Sequence, residues 1–202
     1  MDQEIDKQMP PPLLVIVTGA PCTGKTTLGL RLAADFRLPF IYKDGIKEIL
    51  FDRLGWKDKQ WSKLLSLASY DLQYYFVESL LKSGKSLIVE ANFKTQVDTN
   101  KFLALKSQSK FVPFQILCHA EPEILLERFR SRASAPERHP GHIDHLTEGD
   151  IRESLWHGEY QALAIGGQLV EIDTTDFTQV NYSGISTALN SALGKPLHEV
   201  AS

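Results

Sequence analysis

An apolar run, Leu13-Leu14-Val15-Ile16-Val17, leads into Gly19-Ala20-Pro21-Cys22-Thr23-Gly24-Lys25-Thr26, and a helix-forming segment from Thr27 to Ala34 follows at once. The spacing G-x-x-x-x-G-K-[ST] between a strand and a helix is that of a phosphate-binding P-loop. Gly19 and Gly24 let the backbone curl so that successive N–H groups converge on an anion at the positive end of the helix dipole. Lys25 is placed to reach the β- and γ-phosphates of a nucleotide, and the Thr26 hydroxyl to bind Mg²⁺, a cation that prefers hard oxygen ligands. The donor site predicted here is Gly19, Ala20, Pro21, Cys22, Thr23, Gly24, Lys25, Thr26 and the adjoining Thr27, with ATP and Mg²⁺ as its occupants.

Around that loop, strand and helix patterns alternate. Leu13 to Thr18 reads as a strand buried on both faces of a parallel sheet. Further strands are expected at Leu38–Tyr42, Ser86–Asn92, Phe111–Cys118 and Gln168–Asp173. Helices are expected from the loop to about Phe36, at Asp44–Leu50, Asp58–Ser83, Lys94–Ser107, Glu121–Ala133 and Glu148–His157, and at the end of the chain. On the long helix, Trp61, Leu64, Leu65, Ala68, Leu72, Tyr75, Phe76, Ser79 and Leu80 recur at helical spacing and are expected to be core. The alternation predicts an α/β fold: a three-layer α/β/α P-loop NTPase with a five-stranded parallel sheet and a helical lid. With 202 residues, 43% of them hydrophobic, one domain is expected. It should span 13–195 behind a flexible tail, 1–12, that ends in three prolines. The breaker-rich stretch 134–147 reads as the lid.

Composition removes other classes. A net charge of -3 does not suit a surface built for nucleic acid or anionic membrane. The two cysteines, Cys22 and Cys118, belong to no ligand-spaced cluster, so neither a zinc site nor a disulfide framework is expected. The polar start from Met1 to Gln8 is no signal peptide, and no apolar run approaches the roughly eighteen residues of a membrane span. A cytoplasmic protein is expected. His139, His142 and His145 recur every three residues, but on a loop broken by Pro140 and Gly141 this spacing does not converge on a metal, and they are read as lid residues.

In open parallel sheets ligands bind beyond the carboxyl ends of the strands. Asp44, just past the second strand, is therefore the candidate to accept the proton of an attacking hydroxyl, with Lys47 one turn on facing the acceptor or the phosphates. Glu90 ends the third strand and, with Thr26, is the candidate metal ligand; Asn92 follows as a candidate acceptor contact. Arg128 and Arg132 lie four apart and share one helix face, whereas Arg130 points elsewhere. They are candidates for charge neutralisation during transfer, with Arg138 closing from the lid. Cys22, among backbone N–H groups at a helix N-terminus, is expected to have a lowered pKa.

The chain resembles the P-loop kinases grouped with zeta toxins, chloramphenicol phosphotransferase and the kinase domain of phage polynucleotide kinase. The resemblance rests on Gly19 to Thr26, Tyr42-Lys43-Asp44-Gly45-Ile46-Lys47, Ile88-Val89-Glu90-Ala91-Asn92-Phe93, and the arginine-rich stretch from Arg128 to His142. It implies that Asp44 is the base activating the acceptor hydroxyl and that Arg128, Arg132 and Arg138 neutralise donor phosphates. The function expected is ATP-dependent transfer of the γ-phosphate to a hydroxyl of a small-molecule or nucleoside-like acceptor, which the residues leave unidentified, as they do the oligomeric state. The alternatives are a polynucleotide 5′-kinase, for which an acidic chain offers no global basic channel, and a non-catalytic nucleotide-binding module. A GTPase is disfavoured because Asn100-Lys101 is followed by Phe102-Leu103 and not by the guanine-reading aspartate.

Overall fold

The computed structural model describes residues 10–194. Of the tail expected over residues 1–12, residues 1–9 lie outside the described residues, as does the domain limit at 195. The chain runs β1 (Leu13–Gly19), α1 (Lys25–Phe36), β2 (Phe40–Tyr42), α2 (Lys43–Leu54), α3 (Lys59–Lys82), β3 (Leu87–Glu90) and α4 (Thr95–Ser109). It continues through β4 (Val112–His119), α5 (Pro122–Ala133), α6 (Glu148–Trp156), β5 (Gln168–Asp173) and α7 (Tyr182–Ala192), with short 3₁₀ turns at Pro140–His142, Asp144–Leu146 and Phe177–Gln179. The five strands are all parallel, in the order β2-β3-β1-β4-β5.

β1 is central and mostly apolar: all seven of its residues are buried. Its pleat sends Leu14 and Ile16 to one face, where Val77 and Leu81 of α3 and Phe102 and Leu105 of α4 pack. Leu13, Val15 and Val17 face the other side against Leu32 and Phe36 of α1 and Ile185 and Leu189 of α7. Each such side chain contributes about 1.5–3 kcal/mol when fully buried. The chain crosses to β2 from β1 in one direction and to β4 from β3 in the other, so a crevice opens between the carboxyl ends of β1 and β3. The register Val17 opposite Glu90 and Tyr42 opposite Glu90 brings the three strand ends level there.

The long helix turns a different face to the core from the one its periodicity indicates. The buried residues of α3 are Ser62, Leu65, Ser69, Gln73, Val77 and Leu81. Of the apolar stripe, Leu65 is buried, but Leu64 is 54% exposed and Tyr75 65%, and Leu72 and Phe76 are exposed as well. The cause is the position of α3 over the ends of β2 and β3, where the strands present carbonyls that need donors. Gln73 Nε2 donates to the carbonyls of Ile41 at 3.1 Å and Glu90 at 2.9 Å, so the face that satisfies those acceptors turns inward. Asp58 caps α3 by accepting from the Trp61 N–H at 2.8 Å, worth roughly 1 kcal/mol.

Candidate active site

The P-loop leaves β1 at Gly19 with φ 134°, beside Cys118 of β4, and a Cβ at Gly19 would lie 1.9 Å from the Cys118 carbonyl oxygen. Only glycine fits there. Gly24 turns back into α1 with φ 79°, and between them Cys22 also takes a left-handed conformation, φ 68°. Lys25 is buried, and its Nζ donates to the Ala20 carbonyl at 2.6 Å and to Thr23 Oγ1 at 3.3 Å, while Thr23 Oγ1 donates to the same carbonyl at 2.9 Å. Burial draws the Lys25 pKa down, against the opposing pull of Glu90. The lysine is thus held inside the loop by the loop's own oxygens.

Glu90 answers it from β3. The Thr26 hydroxyl donates to Glu90 Oε2 at 2.8 Å, and burial pushes the Glu90 carboxyl up, against Lys25 and that hydrogen bond, which pull it down. A buried carboxylate beside a threonine hydroxyl is an all-oxygen donor set that a cation would relieve, and it fits Mg²⁺, which keeps several of its waters. Among the described residues no group of three His, Cys, Asp or Glu side chains could hold a metal, so a zinc-type site is not formed by His139, His142 and His145. Gln73, bonded to the Glu90 carbonyl, fixes the end of β3 from the α3 side. Nothing in the sequence pattern singled it out.

Asp44 is the second residue of α2 and does not cap it: the cap position is Tyr42, whose side chain makes no capping bond. A Cβ at Gly45 would lie 2.4 Å from the Tyr42 ring, so the ring packs over the first turn at the place glycine leaves free. The Asp44 carboxylate is left to face the cavity. Its Oδ1 accepts from Lys43 Nζ at 2.8 Å, and Arg138 Nη1 lies 3.9 Å from Oδ2. Burial would push this carboxyl up, but Lys43, His142 and Arg138 override it and hold it well below the usual carboxylate range. It is therefore ionised at neutral pH, and a weak base until its cations are drawn elsewhere. Lys47, one turn on, is buried with Nζ donating to Ser62 Oγ at 3.0 Å. Asn92 lines the same cavity, and its carbonyl accepts from the Tyr70 hydroxyl at 3.3 Å.

On the opposite side Arg128 and Arg132 line the cavity, while Arg130 points away into a pair with Glu148 at 2.7 Å, as the four-residue spacing indicates. Arg128 Nη2 donates to the Thr175 carbonyl at 2.8 Å, and its guanidinium lies 4.0 Å from the centre of the Phe177 ring. That ring also sits against the P-loop, 2.7 Å from where a Cβ at Gly24 would be. A planar cation stacked on an aromatic ring beside a P-loop offers a flat surface to a nucleobase. Thr175 and Phe177 come from the segment after β5, which carries no motif. Arg128 Nη1 and Arg132 Nε are buried donors without a protein partner.

The lid is folded down on α2. Arg138 pairs with Asp144 through two hydrogen bonds, of 2.7 and 3.1 Å, and His142 Nε2 lies 2.8 Å from Glu48 Oε1. His139 stacks on Phe51 with ring centres 5.2 Å apart, and a Cβ at Gly141 would lie 2.6 Å from the Phe51 ring, so glycine allows the close seating. Ile143 joins the two 3₁₀ turns at φ 46°, a strained conformation for a β-branched residue. Together the P-loop, α2, α3, α5 and the lid enclose a cavity of about 700 Å³ in which Lys25, Thr26, Asp44, Lys47, Glu90, Asn92, Arg128, Arg132 and Arg138 all take part.

Cys22 lines this cavity but is not activated. Burial pushes its thiol up, more than Arg132, Lys25 and Arg138 pull it down. The expected lowering is corrected: in the curled loop the thiol loses more hydration than it gains from nearby positive charge.

A parallel sheet with a P-loop at its switch point, a strand-end acid beside the loop threonine, and an arginine-bearing helix running into a lid define a P-loop kinase. An AAA domain family matches residues 14–149, and the chain belongs to it. A proposed kinase from Chloroflexus aurantiacus J-10-fl is 39% identical, with 90% of this chain and 98% of that one covered and a TM-score of 0.83. A sugar kinase from Janibacter sp. HTCC2649 (15% identical, 96% and 99% covered, TM-score 0.56) is similar in fold. So is a gluconokinase from Sinorhizobium meliloti 1021 (14% identical, 91% and 99% covered, TM-score 0.54). At these identities the latter two speak for the fold alone. No curated protein matches the chain. Among the described residues no helix is long and apolar enough to cross a membrane.

Proposed function

We propose that the protein transfers the γ-phosphate of ATP to a hydroxyl of a small-molecule acceptor. The observation that carries this is the single cavity into which both the P-loop, with Lys25, and the Asp44 carboxylate open. The P-loop amides and Lys25 hold the donor phosphates, and the Arg128 and Phe177 surface supports the base. Thr26 and Glu90 would hold Mg²⁺, which would supply positive charge to neutralise the donor phosphates.

Asp44 accepts a hydrogen bond from the acceptor hydroxyl and aims its oxygen at the γ-phosphorus. The new O–P bond forms as the bond to the β–γ bridging oxygen breaks, ADP leaves, and the hydroxyl proton passes to the Asp44 carboxylate. Because Lys43 and Arg138 keep that carboxylate weakly basic, its main task is alignment, with the proton moving once the hydroxyl has acidified. Arg132 lines the cavity from α5, where its guanidinium is suited to negative charge on the transferring group. The kinase reading includes a cytoplasmic setting, in keeping with the two free thiols.

The experiment is incubation with Mg²⁺, γ-labelled ATP and a metabolite pool, wild type against Asp44→Asn. A labelled product that depends on Asp44 supports the reading. Tight ATP binding with no product from any pool would favour a non-catalytic module.

A further inference from the structure

The acceptor half of the cavity contains a buried cation that hydrogen-bonds to no carboxylate among the described residues. Lys47 sits three residues after Asp44 on α2, so both emerge on one helix face. It is 7% exposed and lines the cavity; its ammonium donates to the neutral Ser62 hydroxyl and lies 5.1 Å from the centre of the Phe51 ring, with no carboxylate bonded to it. Three nearby acids are paired with other cations, Asp44 with Lys43 at 2.8 Å, Asp144 with Arg138 at 2.7 Å and Asp150 with Lys59 at 2.9 Å, and Glu48 is hydrogen-bonded to the His142 imidazole at 2.8 Å. A direct hydrogen bond from Lys47 to any of these carboxylates would compete with a contact already made.

A buried ammonium without a counter-charge is costly, and a methionine of similar length would not carry that cost. Burial and the repulsion of Lys43 and Arg138 draw its pKa down to about 8, more than the nearby Asp44 and Asp144 carboxylates pull it up. The donor end of the cavity has cations of its own in Lys25, Arg128 and Arg132. Lys47 stands instead on the Asp44 side, and Ser62, which orients it, also donates to the lid carbonyl of Gly141 at 3.4 Å.

We propose that the acceptor is an anionic hydroxyl compound, carrying a carboxylate or a phosphate that Lys47 holds while the reacting hydroxyl meets Asp44. This rests on the kinase reading above. A carboxylate or phosphate oxygen replaces the missing counter-charge with a charge-assisted hydrogen bond, and a neutral polyol of the same shape leaves Lys47 as it is. Lys47 is then a specificity residue, one that favours charged over neutral acceptors.

The test uses the full chain with Mg²⁺ and a non-hydrolysable ATP analogue, titrated by calorimetry with matched probes. One set is glycerol, glycerate and glycerol 3-phosphate; the other is sorbitol, gluconate and sorbitol 6-phosphate. In at least one set an anionic member should bind ten-fold or more tighter than its neutral counterpart, and which member does so separates carboxylate from phosphate. Lys47→Gln should erase that preference, Lys47→Arg should keep most of it, and Ser62→Ala, which leaves the charge in place, should weaken it a few-fold. Equal or undetectable affinity across both sets overturns the proposal, as does Lys47→Gln weakening ATP as much as the anionic probe. Turnover of the same probes with ATP separates the two readings. Charge-selective binding that depends on Lys47 but leads to no transfer tells against the kinase reading. Transfer to neutral polyols with a KM indifferent to Lys47 tells against the anionic acceptor and leaves the kinase in place.

Discussion

The Thr26 hydroxyl donates to the Glu90 carboxylate at 2.8 Å across 64 residues of chain, tying the first turn of α1 to the end of β3. Two of the oxygens that a phosphate-bound cation would use are therefore in place beside the P-loop lysine. Thr26→Val should leave the fold intact and raise the Mg²⁺ concentration for half-maximal rate by about 10- to 100-fold. Glu90→Gln should do the same with a larger loss of kcat. Chelating the metal with EDTA should stop turnover in the wild type. Metal titrations of initial rate measure this, and a midpoint unchanged in both variants would remove these residues from the metal site.

Asp44 gives a second prediction, with a split that a structural role would not produce. Asp44→Asn keeps the size of the side chain and its place in the first turn of α2 but cannot take a proton. kcat should fall by about 10²- to 10⁴-fold, with ATP affinity within a few-fold of wild type. Lys43→Met acts on the same carboxylate from the other side. Removing its hydrogen-bonded cation should raise the Asp44 pKa and move the acid limb of the kcat–pH profile upward. An unshifted limb would place the titration elsewhere.

Those two sites were legible in the sequence for a local reason. A P-loop is eight adjacent residues, and Asp44 and Glu90 stand where two apolar runs end, so strand order need not be known to place them near the loop. Arg128 and Arg132 were readable from a four-residue spacing, and Arg130 was set apart by the same rule. Gln73 and the Phe177 stack escape that logic. Gln73 binds carbonyls 32 and 17 residues away, and Arg128 reaches Thr175 across 47, contacts that only the assembled sheet creates. The apolar stripe of α3 misled because hydrophobic spacing reports how apolar a face is, not whether the strand ends opposite it need donors. Cys22 misled in a similar way: its neighbours in sequence are backbone N–H groups, but its pKa is set by how much water the curled loop excludes.

That burial makes a kinetic prediction for Cys22. With a raised pKa, little thiolate is present at pH 7.5, so iodoacetamide should label Cys22 more slowly than a free cysteine in a peptide. The rate should keep climbing as pH passes 9. Because Cys22 lines the cavity, saturating Mg²⁺-ATP should slow labelling further, both by covering the thiol and by adding negative charge beside it. Peptide mapping of the labelled protein reads this out, and labelling as fast as in the peptide at pH 7.5 would contradict it.

His142 couples lid seating to acid. Buried against α2 with Nε2 2.8 Å from Glu48 Oε1, it has its pKa lowered to about 4; burial is the largest cause, and Arg138 and Lys47 add to it against the pull of Asp44 and Glu48. The unfolded chain protonates this imidazole near 6.5, so between about pH 6.5 and 4 it binds more protons than the folded chain, and stability rises with pH across that window. Acidifying through it should cost roughly 3 kcal/mol, a cost that is complete below the folded pKa and absent above pH 7. His142→Gln keeps a donor for Glu48 and cannot take up the charge. Urea unfolding at pH 7.5, 5.5 and 4.5 should show the wild type losing more stability than the variant as pH falls. Parallel losses in the two proteins would mean that other groups carry the acid sensitivity and that the lid stays seated when His142 is protonated.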